Sequence, residues 1–501
     1  MPNYRILLWR SQIELSRGVV RHGHMSGSFL WHDYETFGTN PRVDRASEFA
    51  CWRTNADFEP IEDPHSFRCQ PNLDYLPDAT SCLITGIGPE AAYAGGVPEP
   101  EFAARVHAQL SEPGTCGIGY NSLRFDDELT RHLLWRNFFD PYEREWARGC
   151  SRFDLIDLAR AAYALRPEGV QWPMHDERRP SFKLTDLTAA NQISHRHAHA
   201  ALSDVEASIS LGQILRRAQP KLLDYALNLR NKGTVLRALD WQSRKPMIHV
   251  SQRFPADRGC LALVVPLAPH PSQSGKIIAV DAYHDPLPLL TWSAERLAEA
   301  VVAPSGESRV PTGLKVIHAN RFPFIAPVSV LQGADLARIS FDRDRTLANA
   351  RRLIDADGLD QKIQQVYSLL EQGSRADQDP EAALYSGFVS DADRALCVRF
   401  RRAVPEDLAA LTPGFADPRL RTLAQRYRAR HFPELLNKPE RVRWTSHCQE
   451  RLANGERNLS GLRTRITDFP AEQSALAQDI SAWCERVAKN ANLPPNGEAA
   501  T

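Results

Sequence analysis

The segment Ser28-Phe-Leu-Trp-His-Asp-Tyr-Glu-Thr-Phe37 most constrains how this chain can fold. Its aromatic and branched residues read as a strand, and side chains along a strand alternate with a period of two, so Asp33 and Glu35 point to one face. Two carboxylates on the same face of an apolar strand are costly unless a cation sits there. Taken alone, the pair also fits one face of a solvated edge strand. Its meaning depends on what other carboxylates the fold brings to it.

Two further segments offer them. Gly119-Tyr-Asn-Ser-Leu-Arg-Phe-Asp-Asp-Glu128 reads as a strand end, a polar turn and an acidic helix start. Acidic residues suit the positive end of a helix dipole without any further role. Ser194-His-Arg-His-Ala-His-Ala-Ala-Leu-Ser-Asp204 packs three histidines into five residues, with a carboxylate five beyond His199. Alternating histidines on an irregular loop are a compositional feature as readily as a metal site. His199 and Asp204 matter only if the other carboxylates converge on them.

The organisation of the chain gives that convergence a setting. From residue 26 to about 219, strand-like runs such as Thr115-Cys-Gly-Ile-Gly-Tyr120 alternate with helical periodicity over Glu101 to Leu110 and Leu155 to Leu165, which predicts an α/β domain. From about 220 to 372, short branched runs such as Pro246 to Val250, Cys260 to Val265, Lys276 to Val280 and Leu314 to His318 predict a small β-barrel or sandwich with helical appendages. The polar stretch 372–380 reads as a linker or surface crossing, and residues 376–491 as an all-helical domain. The first 25 residues read as a disordered, dispensable extension, with Met25 a candidate start.

Lys+Arg and Asp+Glu both number 61, so no whole-chain basic field announces nucleic acid. No apolar run approaches the ~20 residues that cross a bilayer. The nine cysteines never occur as CxxC and read as reduced thiols of a cytoplasmic protein.

Asp-x-Glu on a first strand, Asn-x-x-x-Phe-Asp after a later one and His-x-x-x-x-Asp entering a helix, in that order, resemble the DEDDh exonuclease superfamily with its ribonuclease-H-like fold. Four carboxylates around one point repel each other unless divalent ions neutralise them, and hard oxygen ligands suit two Mg²⁺, with Mn²⁺ as a possible substitute. Two ions ~3.5–4 Å apart can activate water and stabilise the leaving oxygen of a phosphodiester. A neutral histidine beside that water is a suitable general base.

The resemblance extends further. His32-Asp-Tyr-Glu-Thr-Phe-Gly38, Asp74-Tyr-Leu-Pro77, Leu83-Ile-Thr-Gly-Ile87, Arg124-Phe-Asp-Asp-Glu128, Tyr163-Ala-Leu-Arg-Pro-Glu-Gly169, Leu384-Tyr385 and Tyr427-Arg-Ala-Arg430 are similar to the bacterial exodeoxyribonuclease I family, from about Ser28 to the helical C-terminus. The resemblance implies an α/β ribonuclease-H-like exonuclease domain, a middle SH3-like β-containing domain and an all-helical C-terminal domain closing around single-stranded DNA. It also implies that Asp33, Glu35, Asp126 and Asp204 hold two Mg²⁺, that His199 is the general base, and that the enzyme works from 3' to 5' as a monomer in DNA repair. Glu35, Thr85, Arg124, Phe125 and Arg166 are expected to contact the strand. Arg166 and Tyr225 are the candidates for binding the acidic C-terminal tail of the single-stranded DNA-binding protein.

Single-strand binders combine cationic tracks with aromatic platforms. Asp417 to Trp444 carries eight Lys/Arg against three acids, with Tyr427, Phe432 and Trp444 interleaved, so Arg426 and Arg430 are expected to track phosphates. A charge run is also an ordinary solvated helix face. A DEDDh ribonuclease trimming RNA and a noncatalytic adaptor are the competing functions. The additional domains disfavour the first and the intact acidic motifs the second.

Overall fold

The computed structural model describes residues 27–176, 179–195, 200–303, 312–371, 379–455 and 457–494. The expected extension, most of the 372–380 crossing and His199 lie outside the described residues.

The first domain is built on a five-stranded sheet in the order β3-β2-β1-β4-β5. Its strands are β1 (Ser28–Thr36), β2 (Ala46–Thr54), β3 (His65–Arg68), β4 (Thr115–Gly119) and β5 (Ser151–Asp154). The first three form an antiparallel meander, whereas β4 and β5 run parallel to β1. Both faces of β1 are covered, which explains its nearly continuous hydrophobicity. Leu30 and Tyr34 join one apolar cluster, while Phe29 and Trp31 join the other.

Asp33 and Glu35 continue the Phe29–Trp31 face. Helices α1 (Asp126–Arg136), α2 (Leu155–Leu165) and α3 (Ala201–Ala218) flank the sheet. The approach of α3 to β1 depends on Gly212, because a Cβ there would lie 2.5 Å from the Trp31 ring. That contact fixes where the first turn of α3, carrying Asp204, meets the end of β1.

After α4 (Pro220–Asn228), the middle domain forms an antiparallel sheet in the order β10-β6-β7-β8-β9. Its strands are β6 (Met247–Val250), β7 (Leu261–Pro269), β8 (Lys276–Asp281), β9 (Leu314–His318) and β10 (Phe324–Pro327), followed by α5 (Arg343–Ile354) and α6 (Leu359–Leu370). Ile248, Leu263 and Val265 share one buried cluster with Leu158 and Ala162 of α2, so the core runs without interruption from the first domain into the second.

Beyond residue 379 the described residues contain no strand. The long helices there include α7 (Asp391–Arg402), α8 (Pro418–His431), α9 (Lys438–Asn454) and α10 (Ser474–Asn490). They clasp the first domain through two apolar clusters. Trp483 and Cys484 pack with Phe37, Tyr75 and Cys82, while Phe400 and Phe415 pack with Trp135 and Phe138. The nine cysteines are unpaired. Among the described residues, no helix is long and apolar enough to cross a membrane.

Candidate active site

The odd-numbered face of β1 delivers Asp33 and Glu35 to the first turn of α3. Carboxylate oxygens of Asp33, Glu35 and Asp204 all lie within 4.8 Å of one another. Asp126, 6% exposed at the first position of α1, faces the same strand. Burial pushes the Asp33 carboxyl well above the usual carboxylate range, and the charges of Asp126, Asp204 and Glu35 push it further. The same effects raise Glu35 to about 9, with Glu48 adding to them from its cross-strand position on β2. Asp126 rises to about 8, chiefly through burial.

Within the acidic helix start, neighbouring residues have opposite environments. Asp127 turns away from the cluster and is held by Arg144 at 2.5 Å and Arg152 at 2.6 Å. Burial would raise its carboxyl, yet the two guanidiniums hold it below the usual range. Asp127 thereby anchors the first turn of α1 and leaves Asp126 directed at β1. The Tyr34 hydroxyl and the Thr130 hydroxyl, 2.9 Å apart, brace the same turn.

Two residues that the sequence pattern does not single out shape the site. Buried Asp154, at the end of β5, accepts hydrogen bonds from the backbone N–H groups of Asn121 at 2.8 Å, Leu123 at 3.2 Å and Ile156 at 3.2 Å. It therefore sets the path of the loop that carries Arg124 and Phe125. Its signal is an acidic residue directly before a helix, the N-cap pattern. His195 contacts an Asp204 carboxylate oxygen through Nε2, while its Nδ1 lies 3.3 Å from the Thr188 hydroxyl. It belongs to the same His-rich stretch as His199.

Three domain families match in series: Exonuclease over residues 30–211, Exonuclease I SH3-like domain over 230–369, and Exonuclease I C-terminal domain over 378–486. Exodeoxyribonuclease I of Escherichia coli K12 is 41% identical over 434 residues, covering 86% of this chain and 91% of the relative. The chain belongs to the exodeoxyribonuclease I family. It is a hydrolase acting on DNA, with an exonuclease domain followed by an SH3-like domain and a helical C-terminal domain. The zinc-bound E. coli ExoI–ssDNA complex superposes with a TM-score of 0.87 at 38% identity, covering 93% of this chain and 100% of that one. An ExoI/SSB-Ct complex gives 0.85 at 38% identity, covering 93% and 99%.

The remaining candidates of this exodeoxyribonuclease I chain divide by environment. Thr85 ends the short helix Ala79–Thr85, and its hydroxyl accepts from the Ile87 N–H at 3.2 Å. Arg124 is exposed and Phe125 half-buried. Arg166 caps α2 and donates to the carbonyls of Gln332 at 3.0 Å and Val330 at 3.3 Å. The Tyr225 hydroxyl donates to the Ile325 carbonyl at 2.9 Å, so both residues lie against β10 and the turn after it.

Arg426 and Arg430, expected to track phosphates, are both paired with carboxylates in the structure. They share a face of α8 as their spacing requires, but it is the inward face. Arg430 grips Asp74 through two bonds of 2.9 and 2.7 Å, and Arg426 grips Asp379 through bonds of 2.8 and 2.9 Å. Both also reach Glu381. Within the positive run, these two arginines meet the buried carboxylates Asp74 and Glu381 at the boundary between domains.

Proposed function

We propose that the enzyme degrades single-stranded DNA from the 3' end to 5'-mononucleotides with two Mg²⁺ ions, acting in the cytoplasm in DNA repair and recombination. The observation that carries this reading is uncompensated negative charge. Among the described residues, no Lys or Arg pairs with Asp33, Glu35, Asp126 or Asp204, and His195 is the one basic side chain bonded to any of them. Such a set of hard oxygen donors fits divalent magnesium, with manganese as a substitute. When bound, the ions supply an activated water and charge stabilisation at the leaving oxygen.

The protein's own part is positional. Asp33 and Glu35 are fixed by strand alternation, Asp126 by the Asp127 anchor, and Asp204 by the seat of α3 on Trp31. His199 accepts the proton of the attacking water, the role that family resemblance gives it. Thr85, Phe125 and Arg124 receive the terminal nucleotide around this cluster, with Glu35 beneath it. The zinc-bound E. coli ExoI–ssDNA complex supports both the divalent ion and the single strand.

From Arg124 a cationic surface continues onto exposed Arg253 of the middle domain, with the buried Lys315 ammonium close by. Burial, joined by the charges of Arg253 and Arg124, lowers the Lys315 ammonium to about 7. Its Nζ rests 3.9 Å from the centre of the Phe254 ring without a hydrogen bond. Cations gathered this way are relieved by a polyanion, and we assign this surface a phosphate track. Arg166 and Tyr225 would receive the acidic tail of the single-stranded DNA-binding protein, a reading supported by the ExoI/SSB-Ct complex.

The test is hydrolysis of 3'-labelled and 5'-labelled single strands of DNA and RNA, with duplex DNA as control. Immediate release of the 3' label as mononucleotide, dependent on Mg²⁺ and confined to single-stranded DNA, is the expected result. Equal hydrolysis of RNA would sink the substrate assignment.

A further inference from the structure

A second site lies at the far end of the sheet. Strands β1, β4 and β5 are parallel, and the acidic cluster is near the C-terminal end of β1, whereas a cleft of 690 Å³ opens beside the start of β5. It lies between the first domain, the turn after α4, and Asn320 and Phe322 of the middle domain. Pockets of this size are adequate for a small organic ligand.

The lining has two parts. Trp146, 70% exposed, is the open aromatic of the lining, which also includes Tyr142 and the buried Phe322. An indole left so open to water is a platform without a partner. Arg230 and Lys232 supply positive charge. Arg230 donates to the Leu227 carbonyl at 2.8 Å and to the Ser151 hydroxyl at 3.3 Å, and among the described residues neither cation forms an ion pair.

Glu145, the carboxylate of the lining, is already engaged by Arg131 at 2.7 Å and Arg152 at 2.8 Å. Arg152 also lines the cleft, is 2% exposed and leaves its Nε unpartnered. Open aromatic surface beside unneutralised cations matches a ligand that carries both a flat ring and an anion.

We propose that this cleft binds a nucleoside 5'-monophosphate unit, with the base stacked on Trp146 and the phosphate held by Arg230 and Lys232. The unit is either a free mononucleotide or one nucleotide of a strand, and the two sources share this chemistry. The cleft's Arg152 also grips Asp127, the anchor beside Asp126, so occupancy is positioned to reach the first turn of α1.

The experiment uses the full chain in EDTA, which separates binding here from metal-dependent hydrolysis. Isothermal titration with dAMP, adenosine and inorganic phosphate is compared for the wild type, Trp146→Ala and the double variant Arg230→Ala/Lys232→Ala. The expected result is dAMP binding tighter than either fragment. It should weaken at least tenfold in the double variant and fall toward the level of inorganic phosphate in Trp146→Ala.

A short oligodeoxyadenylate titrated in parallel distinguishes the sources. Loss of dAMP binding with oligonucleotide affinity unchanged assigns the cleft to free nucleotide, and loss of both assigns it to a strand. Circular dichroism and thermal melting check that the substitutions at exposed Trp146 and Lys232 and half-buried Arg230 leave the fold intact. No dAMP binding in the wild type, or binding indifferent to all three substitutions, overturns the proposal whatever the nuclease assay shows.

Discussion

The molecule buries two groups of carboxylates and treats them in opposite ways. At the end of β1, Asp33, Glu35 and Asp126 face one another without a guanidinium, and their carboxyls are pushed upward. Between the first and last domains, Asp74, Glu99 and Glu381 are buried as deeply but interleaved with Arg45, Arg136 and Arg430. Burial alone would raise Glu99, yet Arg136 and Arg45 bring it down to about 2. Depth of burial therefore does not separate a working acid from a structural one. The partner does: a carboxylate left with only its own kind is arranged for a ligand, and one enclosed by arginines is arranged to hold domains together.

The largest expected effect comes from breaking the first group. Asp33→Asn removes a donor and should lower exonuclease turnover by more than the about 10–100-fold seen when an outer-sphere partner of a metal ligand is removed. Thermal stability without metal should hold or rise, because the amide escapes the cost of ionising a buried carboxyl among other acids. Near-normal turnover in steady-state hydrolysis would contradict the grouping. Arg430→Ala should do the reverse. It leaves buried Asp74 with only Arg451 at 3.5 Å and takes one of several guanidiniums from Glu381, where complete loss of a buried partner typically costs about 3–5 kcal/mol. Denaturant unfolding should register it, while single-turnover cleavage by the molecules that remain folded stays close to normal.

The two groups also predict opposite responses to pH. Glu35 at about 9 and Asp126 at about 8 retain protons in the folded, metal-free protein that the unfolded chain releases near pH 4. The folded state thus binds more protons across that window, and its stability falls as pH rises through it. Glu99, held at about 2, binds fewer protons when folded, so its contribution is present above the unfolded value and is lost as pH falls toward 2. Melting temperature in EDTA should therefore decline from mildly acidic to alkaline pH and collapse in strong acid. Saturating Mg²⁺ should remove the alkaline decline and leave the acid collapse. An alkaline decline of equal size with and without Mg²⁺ would break the link between the first group and metal.

Much of this contrast is legible in the sequence on one side only. The β1 pair can be read because strand alternation is strict, and the order of the acidic motifs points to their convergence. The helical periodicity of Leu155 to Leu165 reappears residue for residue as α2. The second group is invisible because its members are dispersed: Asp74 lies in a loop, Glu99 begins a helix and Glu381 follows a polar crossing. Nothing local marks them as partners. For the same reason the arginines of α8 read as a solvent-facing or DNA-facing run, when tertiary packing turns Arg430 inward. His195 is hidden differently, since three neighbouring histidines give one compositional signal and nothing in it marks His195 as a partner of Asp204.

The smallest effect concerns a third group, the cations that have neither carboxylates nor metal to meet. If Lys315 and Arg253 track phosphates, replacing each with Ala should flatten the salt dependence of single-strand binding by about 0.7 in slope for every phosphate no longer neutralised, and affinity should weaken modestly. Lys315 adds a sign of its own. With its ammonium lowered to about 7 by burial and then by Arg253, it is partly deprotonated at neutral pH in the free protein. A phosphate beside it favours the charged form, so DNA binding should take up a proton and be tighter at pH 6 than at pH 8. Lys315→Met should abolish that pH dependence while keeping the side chain's packing against Phe254. Arg430→Ala, although far more damaging to stability, should leave both the salt slope and the pH dependence as they are. Were the slope instead to fall in Arg430→Ala and persist in Lys315→Met, the division between bracing and DNA-facing cations would have to be reversed.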